Sequence, residues 1–504
     1  MGRKRNFIDA LVLVTVIAIL VYVIMRTVTF LMAEYGPIDK AMAIILIAGE
    51  FFILLHSIGY ALDVGRAVRR EEKTYPDLPA QKPSVAILVA ARHEPKEVLA
   101  KTFITLINLN YPNKTVYFLD DSSDEEYLRE AEEICREYGL RLYRRKERHG
   151  AKAGIINDCL KMLSDKYVAI FDADQNPMPE FLNALIPILE GDPKLAFVQT
   201  PQFYTNIGDS PVSRGAAFQQ AVFYEYICEG KSAGDAMFCC GTNIVFRRDA
   251  LVSVGGFDES TVTEDFATSI KLHSSGWKSL YYGRVSAFGM APKDLAGYFK
   301  QQFRWAAGTV SVFRTLLRIL LTKPFSLNLL QWWEYLLSST YYFIGISFFI
   351  LMLCPVAYIF FKLPSFFMDP RIYVLAFIPY IVLSISVFYK VLAERRYKVR
   401  DLFVGQLLGA AAFSVYIRGA MSGLIGRKLS FGITSKTKGN AIPYIKLWPQ
   451  ISMMILNFSA VVWGINRFIY ELDAALLVNG FWAFYHFLVM CGIFYFNEGG
   501  ECEK

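Results

Sequence analysis

Apolar runs long enough to cross a bilayer bracket a polar segment from Glu71 to Val310, and this arrangement limits the possible folds most. Phe7–Met32 and Ala41–Val64 lie before the polar segment. Trp332–Phe361, Tyr373–Val391, Ile451–Ile465 with its flanks, and Ala474–Phe496 lie after it. A cleaved signal peptide has a shorter apolar core, about 7–15 residues, and a small-residue cleavage site. The first run, behind Arg3, Lys4 and Arg5, is therefore read as a retained transmembrane helix. At 54% hydrophobic the chain is too apolar for a soluble enzyme, yet 20% charged residues is too many for spans alone. One soluble domain of catalytic size joined to a membrane region satisfies both figures.

Two stretches are ambiguous. Ser311–Leu330 carries Arg314, Arg318 and Lys323, which suit a helix lying in the interface better than one crossing the bilayer. Leu402–Ile425 is rich in Gly and Ala and holds Gln406 and Arg418. A flat placement keeps its flanking basic and polar loops on one side, giving about six spans with both termini inside. The basic clusters Arg66, Arg69, Arg70 and Arg395, Arg396, Lys398, Arg400 border apolar segments, as cytoplasmic loops beside anionic lipid do. They form no nucleic-acid stripe, and the net charge of +7 is modest. The eight cysteines show no metal-ligand spacing and read as reduced cytoplasmic thiols. Glu50 and His56 fall inside the second span; partners on neighbouring helices explain them more simply than a proton path does.

The polar segment alternates strand and helix. Ser84–Ala90, Thr115–Leu119, Leu140–Tyr143, Tyr167–Phe171 and Leu195–Val198 read as strands; Lys96–Leu109, Asp124–Tyr138 and Ala153–Leu163 read as helices. The pattern predicts a Rossmann-like α/β domain with a mostly parallel sheet. Ligands of such sheets bind beyond the carboxyl ends of the strands. Asp120-Asp121 and Asp172-Ala173-Asp174 each follow a strand directly.

Asp172 and Asp174 offer two carboxylates to a hard cation, Mg²⁺ or Mn²⁺, of the kind that bridges substrate phosphates. Asp120 and Asp121 sit where a base and ribose can hydrogen-bond, although the run through Glu125 also suits a helix cap with an acidic first turn. Lys152 opens a helix, well placed for phosphate. Thr263-Glu264-Asp265 equally suits an acidic helix start capped by Thr263; as a catalytic string it supplies Asp265 as the base for an attacking hydroxyl. In Gln301-x-x-Arg304-Trp305 the guanidinium can pair with a diphosphate and the indole can stack on a sugar, or anchor at the interface.

These residues, in this order, resemble the family 2 inverting glycosyltransferases, and within them the processive cellulose synthase-like branch. Val198-Gln199-Thr200-Pro201-Gln202-Phe203 and Phe238-Cys239-Cys240-Gly241-Thr242 look like that branch's acceptor-side motifs. The second is usually Phe-Phe-Cys-Gly-Ser, so Cys239 and Thr242 depart from it. Phe431-Gly432-Ile433-Thr434-Ser435-Lys436 resembles the branch's gating loop, and also reads as a basic linker. The resemblance implies a GT-A domain on a channel of membrane helices, extending and exporting a β-glycan. It implies uridine recognition near Asp120 and Asp121, and metal–diphosphate binding by Asp172 and Asp174 with Lys152, Gln301 and Arg304. It also implies catalysis at Thr263-Glu264-Asp265 with Asp265 as base, and an acceptor site of Gln199, Cys240, Gly241, Thr242 and Trp305. The implied lid is Phe431, Ile433, Thr434 and Lys436. The branch's cyclic-di-GMP-binding barrel has no counterpart before Lys504, so any such control is expected from a regulatory partner.

The expected organisation is two amino-terminal spans (1–70), a cytoplasmic GT-A domain (71–310), an interface helix (311–330), spans three and four (331–400), an interface helix with the gating-like loop (401–445), and spans five and six (446–504). The expected setting is the plasma membrane, with the catalytic domain and both termini cytoplasmic. The expected partners are a UDP-sugar donor, UDP-glucose first, a growing polysaccharide, membrane lipid and accessory export subunits. Alternatives are a UDP-N-acetylglucosamine polymer, single-sugar transfer to a polyprenyl phosphate, and an inactive scaffold in a synthase complex. Intact acidic sites argue against the last.

Overall fold

The computed structural model describes residues 2–70, 81–363, 370–427 and 441–497. The strands, in chain order, are β1 (Val85–Ala91), β2 (Lys114–Asp120), β3 (Arg141–Tyr143), β4 (Tyr167–Asp172), β5 (Asn176–Pro177), β6 (Leu195–Gln199), β7 (Phe203–Tyr204), β8 (Ile244–Arg247), β9 (Lys278–Tyr281) and β10 (Ala287–Gly289). Seven build one sheet in the order β3-β2-β1-β4-β8-β6-β9, and β5-β10-β7 form a small second sheet. The large sheet is parallel except at β8, which runs against both β4 and β6. It is thus a mixed GT-A-like sheet.

β1 explains why its sequence is apolar throughout. Val85, Ile87 and Val89 face one core, with Phe103, Phe171 and Leu185; Ala86 and Leu88 face the other, with Ile156, Phe197 and Phe246. Both faces are covered, so no polar alternation is possible. Each large aliphatic side chain buried there contributes roughly 1.5–3 kcal/mol. β2 and β4 flank β1, and the register sets Asp120 opposite Ala91 and Asp172 opposite Ala90. Two strand spacings separate the acids' backbones by roughly 10 Å, across the mouth of a parallel sheet.

Among the described residues six helices are long and apolar enough to cross a membrane, or seven if the bent pair Val399–Ala411 and Phe413–Ile425 is one span: Arg5–Met32, Pro37–Arg69, Leu329–Phe361, Arg371–Glu394, Tyr444–Glu471 and Ala474–Asn497. Glu50 takes hydrogen bonds from Tyr22 (3.0 Å) and Arg26 (2.6 and 2.8 Å), and the His56 Nε2 faces the Leu337 carbonyl at 3.2 Å. Both polar residues of the second span therefore have partners on neighbouring helices.

Two expectations change. The Ser311–Leu330 stretch is not a separate interface helix: one helix, Leu295–Thr322, begins at the Asp294 cap and ends before Pro324. No proline separates Trp305 from Arg318, and the helix runs on through Gly308, so the expected domain boundary at 310 falls inside a continuous rod. The Leu402–Ile425 stretch is two helices, Val399–Ala411 and Phe413–Ile425, bent by 55° at Ala412. Both pack closely against other helices of the protein. A Cβ on Gly405 would fall 2.9 Å from the Gln219 nitrogen, and one on Gly423 would fall 2.3 Å from the Ala307 carbonyl oxygen. The small residues of this stretch allow backbone-to-backbone contact with Pro211–Val222 and Leu295–Thr322. The gating-like residues Phe431, Ile433, Thr434 and Lys436 lie outside the described residues.

Candidate active site

A cavity of about 1100 Å³ begins at the carboxyl ends of β1, β2 and β4 and continues into the helix bundle. Its polar end is lined by Asp121, Lys152, Asp172, Asp174, Glu264 and Asp265, and by Gln301, Arg304 and Trp305 of the Leu295–Thr322 helix. Its other end reaches His56, Tyr60, Tyr341, Tyr380, Ser384 and Tyr485 among the membrane helices. The strings at Asp172 and Thr263 thus meet in one cavity with the Arg-Trp pair, and the string at the end of β2 meets it through its second acid.

Asp172 ends β4, and its N–H donates to Thr242 Oγ1 at 2.8 Å. Lys152, in the first turn of the Ala151–Leu160 helix, donates to the Asp172 carboxylate and to the Gly241 carbonyl at 2.7 Å. Burial alone would lower the Lys152 pKa, but Asp172, Glu264 and Asp265 together hold it above its ordinary value. An ammonium so held is a fixed positive charge, able to pair with an anion in the cavity. Asp172 and Asp174 give an oxygen-only donor pair; among the described residues no cluster of three His, Cys, Asp or Glu side chains could enclose an ion. That set fits Mg²⁺ or Mn²⁺ completing its shell with phosphate oxygens and water, and would not suit a softer metal.

Asp120 and Asp121 behave differently from each other. Asp120 is 3% exposed and lies outside the cavity lining, accepting from Arg144 Nε at 2.8 Å and from the Ser122 N–H at 3.0 Å. It braces the mouth of the sheet. Asp121 lines the cavity and is gripped by Arg145 (2.9 Å, both oxygens) and Arg148 (2.8 Å).

Thr263 stands at the cap position of the Glu264–Ser274 helix, yet its side chain makes no cap hydrogen bond. The acidic residues are thus not explained by capping, apart from the Phe266 N–H that donates to Asp265 Oδ1 at 2.8 Å. Burial, then the neighbouring Glu264 charge, pushes the Asp265 pKa up to about 7; burial also raises Glu264. A carboxylate of that pKa is matched to accepting a proton near neutrality. Gly241 makes room for it: its φ is +79°, and a Cβ there would lie 2.9 Å from Asp265 Oδ2.

The acceptor-side residues divide in the same way. Cys240, Gly241 and Trp305 line the cavity, whereas Gln199 and Thr242 are fully buried and do not. Gln199 Oε1 accepts from the Cys240 N–H at 2.8 Å, and its Nε2 donates to the Thr242 carbonyl at 2.8 Å. Both residues hold the floor in place and do not themselves line it. Gln202, in the acceptor-side string after β6, also lines the cavity. Sequence reasoning missed Tyr204 and Arg148, both in the lining. Arg148 stands in a basic run, Arg144 to Arg148, directly after β3.

Residues 83–308 match the family described as "Glycosyltransferase like family 2", and residues 253–500 match "Cellulose synthase". The chain is similar to the UDP-forming cellulose synthase catalytic subunit of Pseudomonas fluorescens (strain SBW25), at 29% identity over 75% of this chain and 51% of that protein. It is 27% identical to cellulose synthase 2 of Novacetimonas hansenii over 95% of this chain and 30% of that protein. It is 34% identical to the UDP-forming cellulose synthase catalytic subunit of Xanthomonas axonopodis pv. citri (strain 306) over 46% of this chain and 32% of that protein. The chain therefore spans about half the length of these curated relatives, or less. Its fold is similar to that of the mannosyltransferase PcManGT from Pyrobaculum calidifontis, solved with GDP-Man and Mn²⁺; the TM-score is 0.52 at 20% identity, over 78% of this chain and all of that one. The chain thus carries a glycosyltransferase family 2-like region followed by a cellulose synthase-like region, and the carboxylates gathered at the sheet mouth fall within the first.

Proposed function

We propose that the protein is a membrane-embedded, processive, inverting glycosyltransferase that polymerises a UDP-sugar, UDP-glucose first, into a β-glucan and passes it through its own helix bundle. The observation that carries this reading is the single cavity running from the carboxylates to Tyr380 and Tyr485. An enzyme that released each product to the cytosol has no use for that continuation.

In this reading Lys152 and Arg304 hold the diphosphate, and Asp121 lies on the nucleoside side. Asp172 and Asp174 hold the divalent cation, which stabilises the charge of the departing diphosphate when bound. The acceptor's terminal sugar rests on Trp305 above the Cys240-Gly241 floor. Asp265 takes the proton from its hydroxyl as the oxygen bonds to the anomeric carbon, and the carbon–diphosphate bond breaks on the opposite face. The configuration inverts and a nucleoside diphosphate leaves. The catalytic domain faces the cytoplasm, where nucleotide sugars are made, beside the basic clusters at Arg66–Arg70 and Arg395–Arg400.

The test is to incubate purified protein with labelled UDP-glucose and UDP-N-acetylglucosamine and digest the product with linkage-specific glucanases. A polymer from UDP-glucose that β-glucanases degrade supports the reading. A single sugar transferred to lipid, or no transfer from any UDP-sugar, overturns it.

A further inference from the structure

Four charged side chains meet where the catalytic domain joins the bundle, and the chemistry above uses none of them. Asp63 and Arg66 come from the second span, Glu334 from the Leu329–Thr340 helix that opens the third, and Lys231 from the Cys228–Ala233 helix of the catalytic domain. Asp63 and Lys231 are each 3% exposed, and Glu334 is 1% exposed. Arg66 pairs with Asp63 at 2.7 Å and with Glu334, and Lys231 reaches Glu334 at 2.5 Å. Two cations balance two anions, so the cluster is neutral as a whole. Gly230 lets the two helices approach closely: a Cβ there would fall 2.5 Å from Asp63 Cα.

The same face of the Leu329–Thr340 helix holds more of the site. Gln331, Glu334 and Tyr335 stand at i, i+3 and i+4, one surface of one helix. Gln331 Nε2 donates to the Asp235 carbonyl at 2.8 Å, just before the Phe238–Thr242 floor. Lys231 lies 5.9 Å over the Phe238 ring, and Phe238 packs edge-on against Phe266 at 4.8 Å. Phe266 follows the base and packs against Tyr335 at 5.5 Å. The Ser279 hydroxyl donates to the Met237 carbonyl at 2.6 Å, so its oxygen takes the His273 Nε2–H and leaves Nδ1 to accept from Tyr335 OH at 2.7 Å. Floor and base helix are also tied directly, since the Cys239 N–H donates to Ser269 Oγ, which donates to the Asp265 carbonyl, each at 2.8 Å.

We propose that Gln331, Glu334 and Tyr335, with Lys231 as ionic partner, are positioning residues that fix the acceptor floor and the Asp265 helix at a set place relative to the membrane bundle. Resting on the glycosyl-transfer reading above, this assigns them the alignment of an acceptor emerging from the bundle with the base. Misplacement of reacting groups by an ångström is enough to cost about a hundredfold in rate.

The test uses the full-length protein with labelled UDP-glucose and compares sugar released by water with sugar built into polymer. That ratio does not depend on how much of a preparation is folded. Lys231→Met/Glu334→Met removes one charge of each sign and leaves Asp63 paired with Arg66, whereas either single change leaves the buried cluster with an unbalanced charge. The double variant is expected to bind UDP as the wild type does and to raise the water-to-polymer ratio about tenfold. Tyr335→Phe, which removes one hydroxyl, is expected to raise the ratio in the same direction by a smaller factor and needs no rebalancing of charge. A wild-type ratio in Tyr335→Phe, or in a folded double variant, overturns the proposal. Wild-type protein that turns over no UDP-sugar at all overturns the functional reading instead.

Discussion

Asp265→Asn should make the protein more stable and nearly inactive, and the stability gain should depend on pH. The carboxyl pKa is about 7 in the folded protein against an ordinary value of 3.8. Between those two values the folded state holds a proton that the unfolded chain has already released, so stability falls as pH rises through that window. Above about pH 7 the full penalty is present, and below about pH 4 it is absent. A shift of roughly three units corresponds to about 4 kcal/mol at most, since each unit is about 1.4 kcal/mol. Lys152 offsets part of the effect of burial and Glu264 adds to it, so the value belongs to the group of three rather than to Asp265 alone. Asparagine keeps the shape and can carry no charge. Thermal unfolding in detergent at pH 8 should rise by up to roughly 8 °C in the variant, at about 2 °C per kcal/mol for a catalytic domain of this size. At pH 5 the gain should shrink to about two-fifths of that. Turnover should fall by roughly 10²–10⁴-fold while UDP still binds. Equal melting of the two proteins at pH 8 would refute the desolvated carboxylate, and near-normal turnover would refute Asp265 as the base.

Excess chelator should abolish transfer and added Mg²⁺ or Mn²⁺ should restore it; full activity in chelator removes Asp172 and Asp174 from the metal role. Gly241→Ala forces a side chain onto a backbone at φ +79° and against Asp265, so turnover should drop on the order of 10²-fold with UDP binding retained, as a titration of both can check. Glu50→Gln removes the carboxylate charge facing Arg26, which is 1% exposed, and should destabilise the bundle by roughly 3–5 kcal/mol. Arg26→Met/Glu50→Met should recover yield and transfer, and failure of transfer in a well-folded double variant would point to a proton path instead. An impermeant thiol reagent on intact cells should label Glu34→Cys and spare Asp124→Cys; the reverse pattern would invert the topology.

The apolar runs and strand ends were legible because each reports a local rule: length against a bilayer, burial on both faces, a ligand site beyond a parallel strand. What was not legible depended on contacts between distant segments. β8 is only four residues long, and nothing in Ile244–Arg247 tells a strand running against its neighbours from one running with them. Gln199 and Thr242 belong to motif strings, but whether a polar side chain meets a ligand or a neighbouring backbone is decided by tertiary packing. The same holds at Asp120, whose partner Arg144 lies on the segment after β3. The Gly and Ala content of Leu402–Ile425 is compatible with a surface position. Its real cause is close contact with two other helices, which composition alone cannot separate from flexibility.

The unbroken Leu295–Thr322 helix has a consequence for exchanging parts between this chain and its relatives. It carries Gln301, Arg304 and Trp305 at one end and lies along Phe413–Ile425 for much of the remainder. At 1.5 Å per residue its 28 residues form a rod about 42 Å long. Each residue added or removed turns everything downstream by about 100°, so one inserted amino acid aims the packing face away from Gly419 and Gly423. A chimera joined at the apparent edge of the soluble domain would cut through this rod and lose the angular register between its ends. The natural seam lies before Asp294, where the chain is not helical, and a transplanted catalytic domain must leave its own Arg-Trp pair behind and work with the host's.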